Sequence, residues 1–248
     1  MLSGAVIEVR DKASGEIFTR ASQATSADVD ADLDQAALIG AWSSFHYQGQ
    51  TCITAGRHVV QRPVADDYAR RLAARAEVIT VGNTFTDDVG LGPMINQIQL
   101  TRAVELLDAA VADGATVIAG GTTEGPFFRP TVVTNVSPTS RLWTEEIFAP
   151  ILVVADDQAA VDAANDTEYG LVNSVLTGDP YRGIRLARQL RAGMVHVNDA
   201  TPQDEAIAPF GGVGQSGLGG RSGGDANLEE FTERRWMTVT DGPAHYPY

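Results

Sequence analysis

Along the first fifty residues the spacing of apolar positions changes twice. Ile7 and Val9 alternate with Glu8 and Arg10, Ala13-Ser14-Gly15 supplies turn residues, and Ile17-Phe18-Thr19 returns, which predicts a β-hairpin over residues 5–20. Ser26-Ala27-Asp28 is a helix-capping sequence, and from Asp30 to Tyr47 the residues Leu33, Ala36, Ala37, Ile39 and Trp42 recur at helical steps. A glycine-containing bend, Gln48-Gly49-Gln50-Thr51-Cys52, separates that helix from a strand through His58-Val59-Val60-Gln61. Pro63 opens a second helix, Val64 to Val78, with arginines on its outer face. Gly82-Asn83 and Gly90-Leu91-Gly92-Pro93 are breakers. Gln97 to Asp113 is amphipathic, with Leu100, Val104, Leu107 and Val111 as its apolar stripe, and Gly114 stops it.

Three short apolar runs follow and read as strands, at residues 115–119, 130–133 and 150–154. Helices are predicted over 159–165 and 181–190, and a strand over 193–198. The glycine-rich loop Phe210 to Gly217 comes next, then a short helix from Asn227 to Thr232 and a strand from Trp236 to Val239. Helices alternating with short apolar strands predict an α/β fold with a mostly parallel sheet. The expected organisation is an N-terminal hairpin and linker over 1–29, a body carrying the cysteine over 30–226, and a terminal helix and strand over 227–248.

Composition narrows the function classes. A chain of 248 residues that is 44% hydrophobic and 20% charged has the make-up of a globular domain with a sizeable core. A net charge of −14 argues against nucleic acid and anionic membranes as partners. No apolar run approaches the ~18 residues that a membrane span needs. Met1-Leu2-Ser3-Gly4 has neither a basic nor an apolar stretch, so no leader is expected. The single cysteine excludes an intrachain disulfide, which fits a reducing, cytoplasmic setting. No metal is expected.

That cysteine, Cys52, is the first candidate for chemistry. Free cysteine is often a small buried hydrophobe, but a thiol on a glycine bend between a helix and a strand is also placed as a nucleophile. As thiolate it attacks aldehydes or esters through a tetrahedral oxyanion that backbone N–H groups on a tight bend can stabilise. Gly49 allows close backbone approach. The second candidate is Glu145-Glu146-Ile147-Phe148-Ala149-Pro150. Its paired acids beside an aromatic suit a ribose diol and a flat heterocycle, and equally suit a solvated corner. The segment Pro209 to Gly220 lacks the strand-before, helix-after setting of a dinucleotide loop, so it reads as a loop closing over a pocket.

Taken together and in order, Gln48-Gly49-Gln50-Thr51-Cys52, Glu145 to Pro150, Asn198, Pro209-Phe210-Gly211-Gly212 and Ser216-Gly217 resemble the aldehyde dehydrogenase superfamily. Arg57-His58-Val59-Val60, His196-Val197-Asn198-Asp199 and Pro209 to Gly214 are similar to its benzaldehyde, salicylaldehyde and vanillin dehydrogenase branch. The likeness covers about residues 30–240. It implies that Cys52 is the nucleophile. By the same resemblance Glu146 would hold a nicotinamide ribose, Phe148 would lie beside the nicotinamide, and Tyr47, Thr51, Asn198 and Phe210 would line the substrate funnel. The strand from Trp236 to Val239 resembles one that extends a neighbouring subunit's sheet, which implies a homodimer or tetramer.

The departures from the family pattern shape the functional expectation. The family is roughly twice this length, and its nucleotide-binding domain lies upstream of the cysteine. Here the segment resembling the family's extreme N-terminus runs directly into the one before Cys52, so most of that domain is expected to be missing. Phe18 stands at the spacing of the family's general base. Glu16 is the nearest acid, and His46 and Tyr47 are alternative bases. Ala149 stands where the family usually has glycine. The expectation is a shortened family member that acts on an aldehyde or acyl substrate in an apolar funnel around Cys52. It would do so without NAD-linked redox, by acyl transfer, hydrolysis or carbonyl condensation. The alternatives are an NAD-dependent aromatic aldehyde dehydrogenase whose cofactor domain is supplied elsewhere, and a non-catalytic assembly subunit.

Overall fold

The structure, a computed structural model, describes the backbone of residues 6–10, 17–22, 26–156 and 160–247, and the side chains of 32–154 and 160–247. β1 (Val6–Arg10) and β2 (Ile17–Ser22) pair antiparallel, as their alternation predicts; the turn between them lies outside the described residues. α1 spans Ser26–Phe45. It begins at the capping serine rather than at Asp30 and runs unbroken through the expected boundary at residue 29.

After the cysteine bend come β3 (Arg57–Val60), α2 (Arg62–Val78), α3 (Gln97–Ala112) and β4 (Thr116–Ala119). The small hairpin β5 (Thr123–Glu124) and β6 (Phe127–Phe128), β7 (Thr131–Thr134), α4 (Arg141–Thr144) and β8 (Ile151–Asp156) follow. α3 starts where Asn96 accepts a hydrogen bond from the Gln99 N–H at 2.9 Å, a side-chain cap. It ends before Gly114, whose φ of +101° suits glycine.

The central sheet has the order β3-β8-β7-β4, with the first three strands parallel and β4 antiparallel at the edge. Helices cover both faces. On one side Ala37, Ala41, Phe45, Leu72 and Ala76 of α1 and α2 pack on Val132, Leu152 and Val154. On the other, Leu100, Ala103, Leu106 and Leu107 of α3 pack on Val133, Ile151 and Val153. Alternate residues of one strand therefore feed different cores, which is why β7 and β8 read as continuous apolar runs. The buried face of α3 differs from the predicted stripe. Val111 is 45% exposed, while Ala103, Leu106 and Ala110 are buried. Leu100, Val104 and Leu107 of the expected stripe do pack on this core, so the stripe is rotated only at its end, where Val111 turns outwards and Ala110 is buried.

Thr131 is fully buried at the start of β7. Its hydroxyl donates to the Arg129 carbonyl at 2.7 Å and accepts from the Gly121 N–H at 2.8 Å. Its own N–H donates to the Pro150 carbonyl at 2.8 Å.

A second unit follows: α5 (Ala160–Asn165), β9 (Val172–Val175), α6 (Pro180–Ala187) and β10 (Met194–Val197). β9 and β10 pair parallel, with Met194 opposite Val172. Gly183 of α6 lies so close to Val197 that a Cβ there would fall 2.5 Å from its Cγ1. α7 spans Ala226–Glu230. Trp236 to Val239 is not a strand in the single chain, and Trp236 is 92% exposed. A strand needs a hydrogen-bonded neighbour, and none of the described strands pairs with this segment. No helix among the described residues is long and apolar enough to cross a membrane.

Three elements and the loop after Cys52 meet at a buried polar chain. The Tyr68 hydroxyl lies 2.8 Å from His58 Nδ1, His58 Nε2 lies 2.7 Å from Ser44 Oγ, and Ser44 Oγ donates to the Ala55 carbonyl at 2.7 Å. Ser44 spends its one proton on Ala55, so His58 Nε2–H donates to Ser44 and Tyr68 donates to Nδ1. Burial pushes the His58 imidazole down from 6.5 to about 4. The folded state holds His58 neutral, whereas the unfolded chain protonates it below about 6.5. This contribution to stability is therefore fully present above pH 6.5 and is lost as pH falls towards 4, by up to about 1.4 kcal/mol per pH unit. Melting temperatures between pH 6.5 and 5, above most carboxylate titration, should fall more steeply for the parent than for His58→Gln. Equal slopes would refute the assignment.

Candidate active site around Cys52

The bend that carries Cys52 is built from left-handed backbone. α1 ends at Phe45, and Tyr47 (φ 50°), Gln48 (φ 58°) and Gly49 (φ 65°) follow in the αL region. Two of these are not glycine, and each costs about 1 kcal/mol or more, so the surroundings must hold them there. Gly49 packs directly on the 147–150 segment; a Cβ at this position would lie 2.2 Å from the Ala149 carbonyl oxygen. With its side-chain amide turned over, which satisfies both of its ends, Gln48 accepts from the Gly92 N–H at 2.7 Å and donates to the Tyr47 carbonyl at 3.1 Å. Gln50 Oε1 accepts from the Ile95 N–H at 3.0 Å. Cys52 then sits in a turn closed by Thr54 N–H to the Thr51 carbonyl at 3.1 Å and by the two threonine hydroxyls at 2.8 Å. The thiol is exposed, which removes the buried-hydrophobe reading.

The opposing segment is strained as well. Phe148 has φ 53°, and two side chains of α3 hold the backbone around it. Gln99 Nε2 donates to the Ile147 and Phe148 carbonyls at 3.0 and 2.7 Å. Arg102 donates to the Ile147 carbonyl at 3.0 Å, the Glu146 carbonyl at 2.8 Å and Glu145 Oε2 at 3.1 Å. Arg141, bonded to Glu145 at 2.6 Å, and Arg102 keep that carboxyl below its usual range. Glu146 goes the other way: burial raises it, against the pull of Arg102. Ala149 is not among the residues with positive φ, which explains why alanine is accepted beside the glycine bend.

Between these two segments and the β9–β10 unit lies a cleft of about 800 Å³. Thr51, Cys52, Glu146, Phe148 and Phe210 all line it. Phe210 is held by a two-bond bridge to Ser222, at 2.7 and 2.9 Å, and Ser216 Oγ accepts from the Gly170 N–H at 3.1 Å, so the glycine-rich loop is tied to the cleft wall. Arg57 lies 5.1 Å from the Trp143 ring, and burial lowers its pKa against the opposing charge of Asp166.

Other expected residues lie elsewhere. His46 and Tyr47 are not among the cleft-lining residues. The left-handed turn carries the Tyr47 ring outwards, 64% exposed, and His46 stacks at 4.2 Å on both Trp42 and Tyr47. Asn198, φ 59°, is also off the lining, and its Oδ1 accepts from the Thr177 N–H at 2.7 Å. Glu16 lies outside the described residues. Gln99 and Arg102 were not anticipated. Their only sequence signal is a pair of polar residues three apart on α3. No cluster of three or more metal-ligating side chains occurs among the described residues.

The family model described as "Aldehyde dehydrogenase family" matches residues 19–237. The chain is 44% identical to a benzaldehyde dehydrogenase [NAD(+)] of Pseudomonas putida, over 88% of this chain and 46% of that protein. It is 45% identical to a vanillin dehydrogenase of an Amycolatopsis species, with the same coverage. Among solved structures, a salicylaldehyde dehydrogenase from Pseudomonas putida G7, complexed with salicylaldehyde, superimposes with a TM-score of 0.83 at 35% identity, over 88% of this chain and 46% of that one. The chain thus spans about half the length of the curated relatives it matches. With its sheet, its cysteine bend and its clamped Glu146–Phe148 segment, it belongs to the aldehyde dehydrogenase family.

Proposed function

We propose that this chain captures an aromatic aldehyde or acyl compound as a covalent adduct on Cys52. The observation that carries the reading is an exposed thiol on a strained bend at the wall of a cleft that also holds Glu146, Phe148 and Phe210. The Cys52 sulfur, as thiolate, forms a bond to the carbonyl carbon, and the C=O π pair moves to oxygen. With an aldehyde the oxyanion takes up a proton to give a thiohemiacetal. With an ester the intermediate expels an alkoxide, which takes up a proton, and leaves an acyl-cysteine for water to hydrolyse. The turn uses the Thr54 N–H, and among the described residues no acceptor takes the Cys52 or Ile53 N–H, so both remain for the oxyanion. An aromatic ring suits the apolar lining, and the benzaldehyde, vanillin and salicylaldehyde dehydrogenase names of the relatives support that substrate class.

NAD-linked oxidation is the second reading, favoured by the Glu146–Phe148 clamp and by the NAD(+) in one relative's name. Glu146 and Phe148 fit the nicotinamide ribose and ring; the bound cofactor would supply a hydride acceptor. Among the described residues no strand–glycine turn–helix precedes Cys52 to hold a pyrophosphate. Self-association through the exposed Trp236, Met237 and Val239 accompanies either reading.

Two measurements on the purified chain separate these readings. Incubation with p-nitrophenyl benzoate, followed by intact-mass analysis, should show one benzoyl group per chain; no adduct and no p-nitrophenol release would overturn covalent capture. Calorimetry with NAD should be silent under the first reading and show micromolar binding under the second.

A further inference from the structure

We infer that the buried chain Tyr68–His58–Ser44–Ala55 is a positioning device that fixes how the Cys52 thiol is presented. This rests on the reading of Cys52 as the reacting group, but its evidence is separate geometry. Ser44, His58 and Tyr68 are 0%, 9% and 5% exposed. The three links between them and the Ala55 carbonyl measure 2.8, 2.7 and 2.7 Å. Both polar groups of Ala55 end on the same helix terminus, because its N–H donates to the Ser43 carbonyl at 3.0 Å while its carbonyl accepts from Ser44. Ala55 directly follows the Thr51–Thr54 turn that holds Cys52, so the turn is stapled to α1 on its C-terminal side. Gly49 and Gln50 anchor it on the N-terminal side, against Ala149 and Ile95. Cys52 is therefore suspended between two fixed points, and the polar chain supplies one of them.

Donor order gives the device a direction. Tyr68 of α2 orients the His58 ring of β3, the ring orients the Ser44 hydroxyl of α1, and the hydroxyl holds the loop. A simple core would place apolar side chains here at no desolvation cost. Gly40 supports the same reading independently. A Cβ there would lie 2.3 Å from the Tyr68 hydroxyl and 3.0 Å from His58 Cε1. A glycine inside a helix is unfavourable by about 1 kcal/mol relative to alanine, and what it permits here is the approach of these two groups. Gly40, Ser43, Ala55, His58 and Tyr68 all line the same cleft as Cys52.

The test uses Ser44→Ala, Ser44→Thr and Tyr68→Phe in the full chain. Amide hydrogen exchange of residues 51–55 reads the loop directly, and the rate of benzoyl transfer from p-nitrophenyl benzoate to Cys52 reads presentation of the thiol. We expect Ser44→Ala to speed exchange at Thr54 and Ala55 and to slow acylation, each by about tenfold. Tyr68→Phe should do both to a smaller degree, and Ser44→Thr should restore both. A melting temperature lowered in the variants with exchange and acylation within twofold of the parent would show a purely structural network and overturn the inference. If Ser44→Ala does not fold, Tyr68→Phe against the parent decides by the same two readouts. Faster exchange in a protein whose parent is never acylated would leave the positioning role standing and reject the Cys52 chemistry instead.

Discussion

Cys52→Ala should leave the melting temperature within a few degrees of the parent and abolish the benzoyl adduct, with ester turnover falling at least ~100-fold. The thiol is exposed, so its loss opens no cavity, and nothing in the bend is bonded to sulfur. The turn is shaped by groups other than the thiol: the Thr51–Thr54 closure, the Gly49 contact, the Gln50 bond to Ile95 and the Ser44 bond to Ala55. Stability and chemistry therefore separate cleanly at this residue. With a single cysteine in the chain, mass added to the parent and absent from the variant has one assignment. Undiminished turnover by Cys52→Ala would remove the sulfur from the mechanism and leave the cleft only as a binding site.

Gly49→Ala should destabilise the chain well beyond the cost of a glycine substitution in open space. Two costs add. Alanine at φ +65° pays about 1 kcal/mol for the left-handed conformation. Its methyl would also fall 2.2 Å from the Ala149 carbonyl oxygen, a backbone atom in a segment that Gln99 and Arg102 hold in place. Neither side yields easily, so urea unfolding should register a loss of about 2–4 kcal/mol, with acylation of Cys52 reduced in the surviving folded protein. Gly114→Ala is the internal control. It has φ +101° but nothing within 4 Å, so only the conformational cost of about 1 kcal/mol applies. Equal losses at the two positions would mean that the Gly49–Ala149 contact does not constrain the bend.

The contrast between those glycines shows what the sequence makes legible. Hydrophobic period predicts α3, Pro63 and the outer arginines predict α2, and unbroken apolar runs predict β7 and β8, because two-sided burial writes itself as continuous valine, isoleucine and leucine. β9 escapes that reading because Asn173 and Ser174 interrupt its run, and the Ser174 hydroxyl instead donates to the Asp199 carbonyl at 2.6 Å. α4 escapes because it is a single turn. In the site, glycine beside the lone cysteine and the Glu-Glu-Ile-Phe run are visible as local patterns, and the cleft does join Cys52 to Glu146 and Phe148. Gln99 and Arg102 are not visible, since they address backbone carbonyls more than forty positions away, and no side-chain pairing in the sequence announces such a bond. His58 reads as one more residue in a strand until Tyr68 and Ser44 are seen beside it. His46 and Tyr47 mislead for the opposite reason. Nearness to Cys52 along the chain suggests a base, but neither lines the cleft: Tyr47 has left-handed backbone and an exposed ring, and His46 packs on Trp42 and Tyr47.

The two-faced sheet has a further consequence. In a one-sided sheet, a strand that slips by one position drives its polar half into the interior, and polarity corrects the error. β7 and β8 have no polar face, because Val132 and Leu152 enter one core while Val133 and Val153 enter the other. Oily-versus-wet contrast cannot index these strands. That task falls to Thr131, whose three bonds to Arg129, Gly121 and Pro150 act as a dowel, so that a misthreaded β7 is recognised by a stranded hydroxyl rather than by a misplaced hydrocarbon.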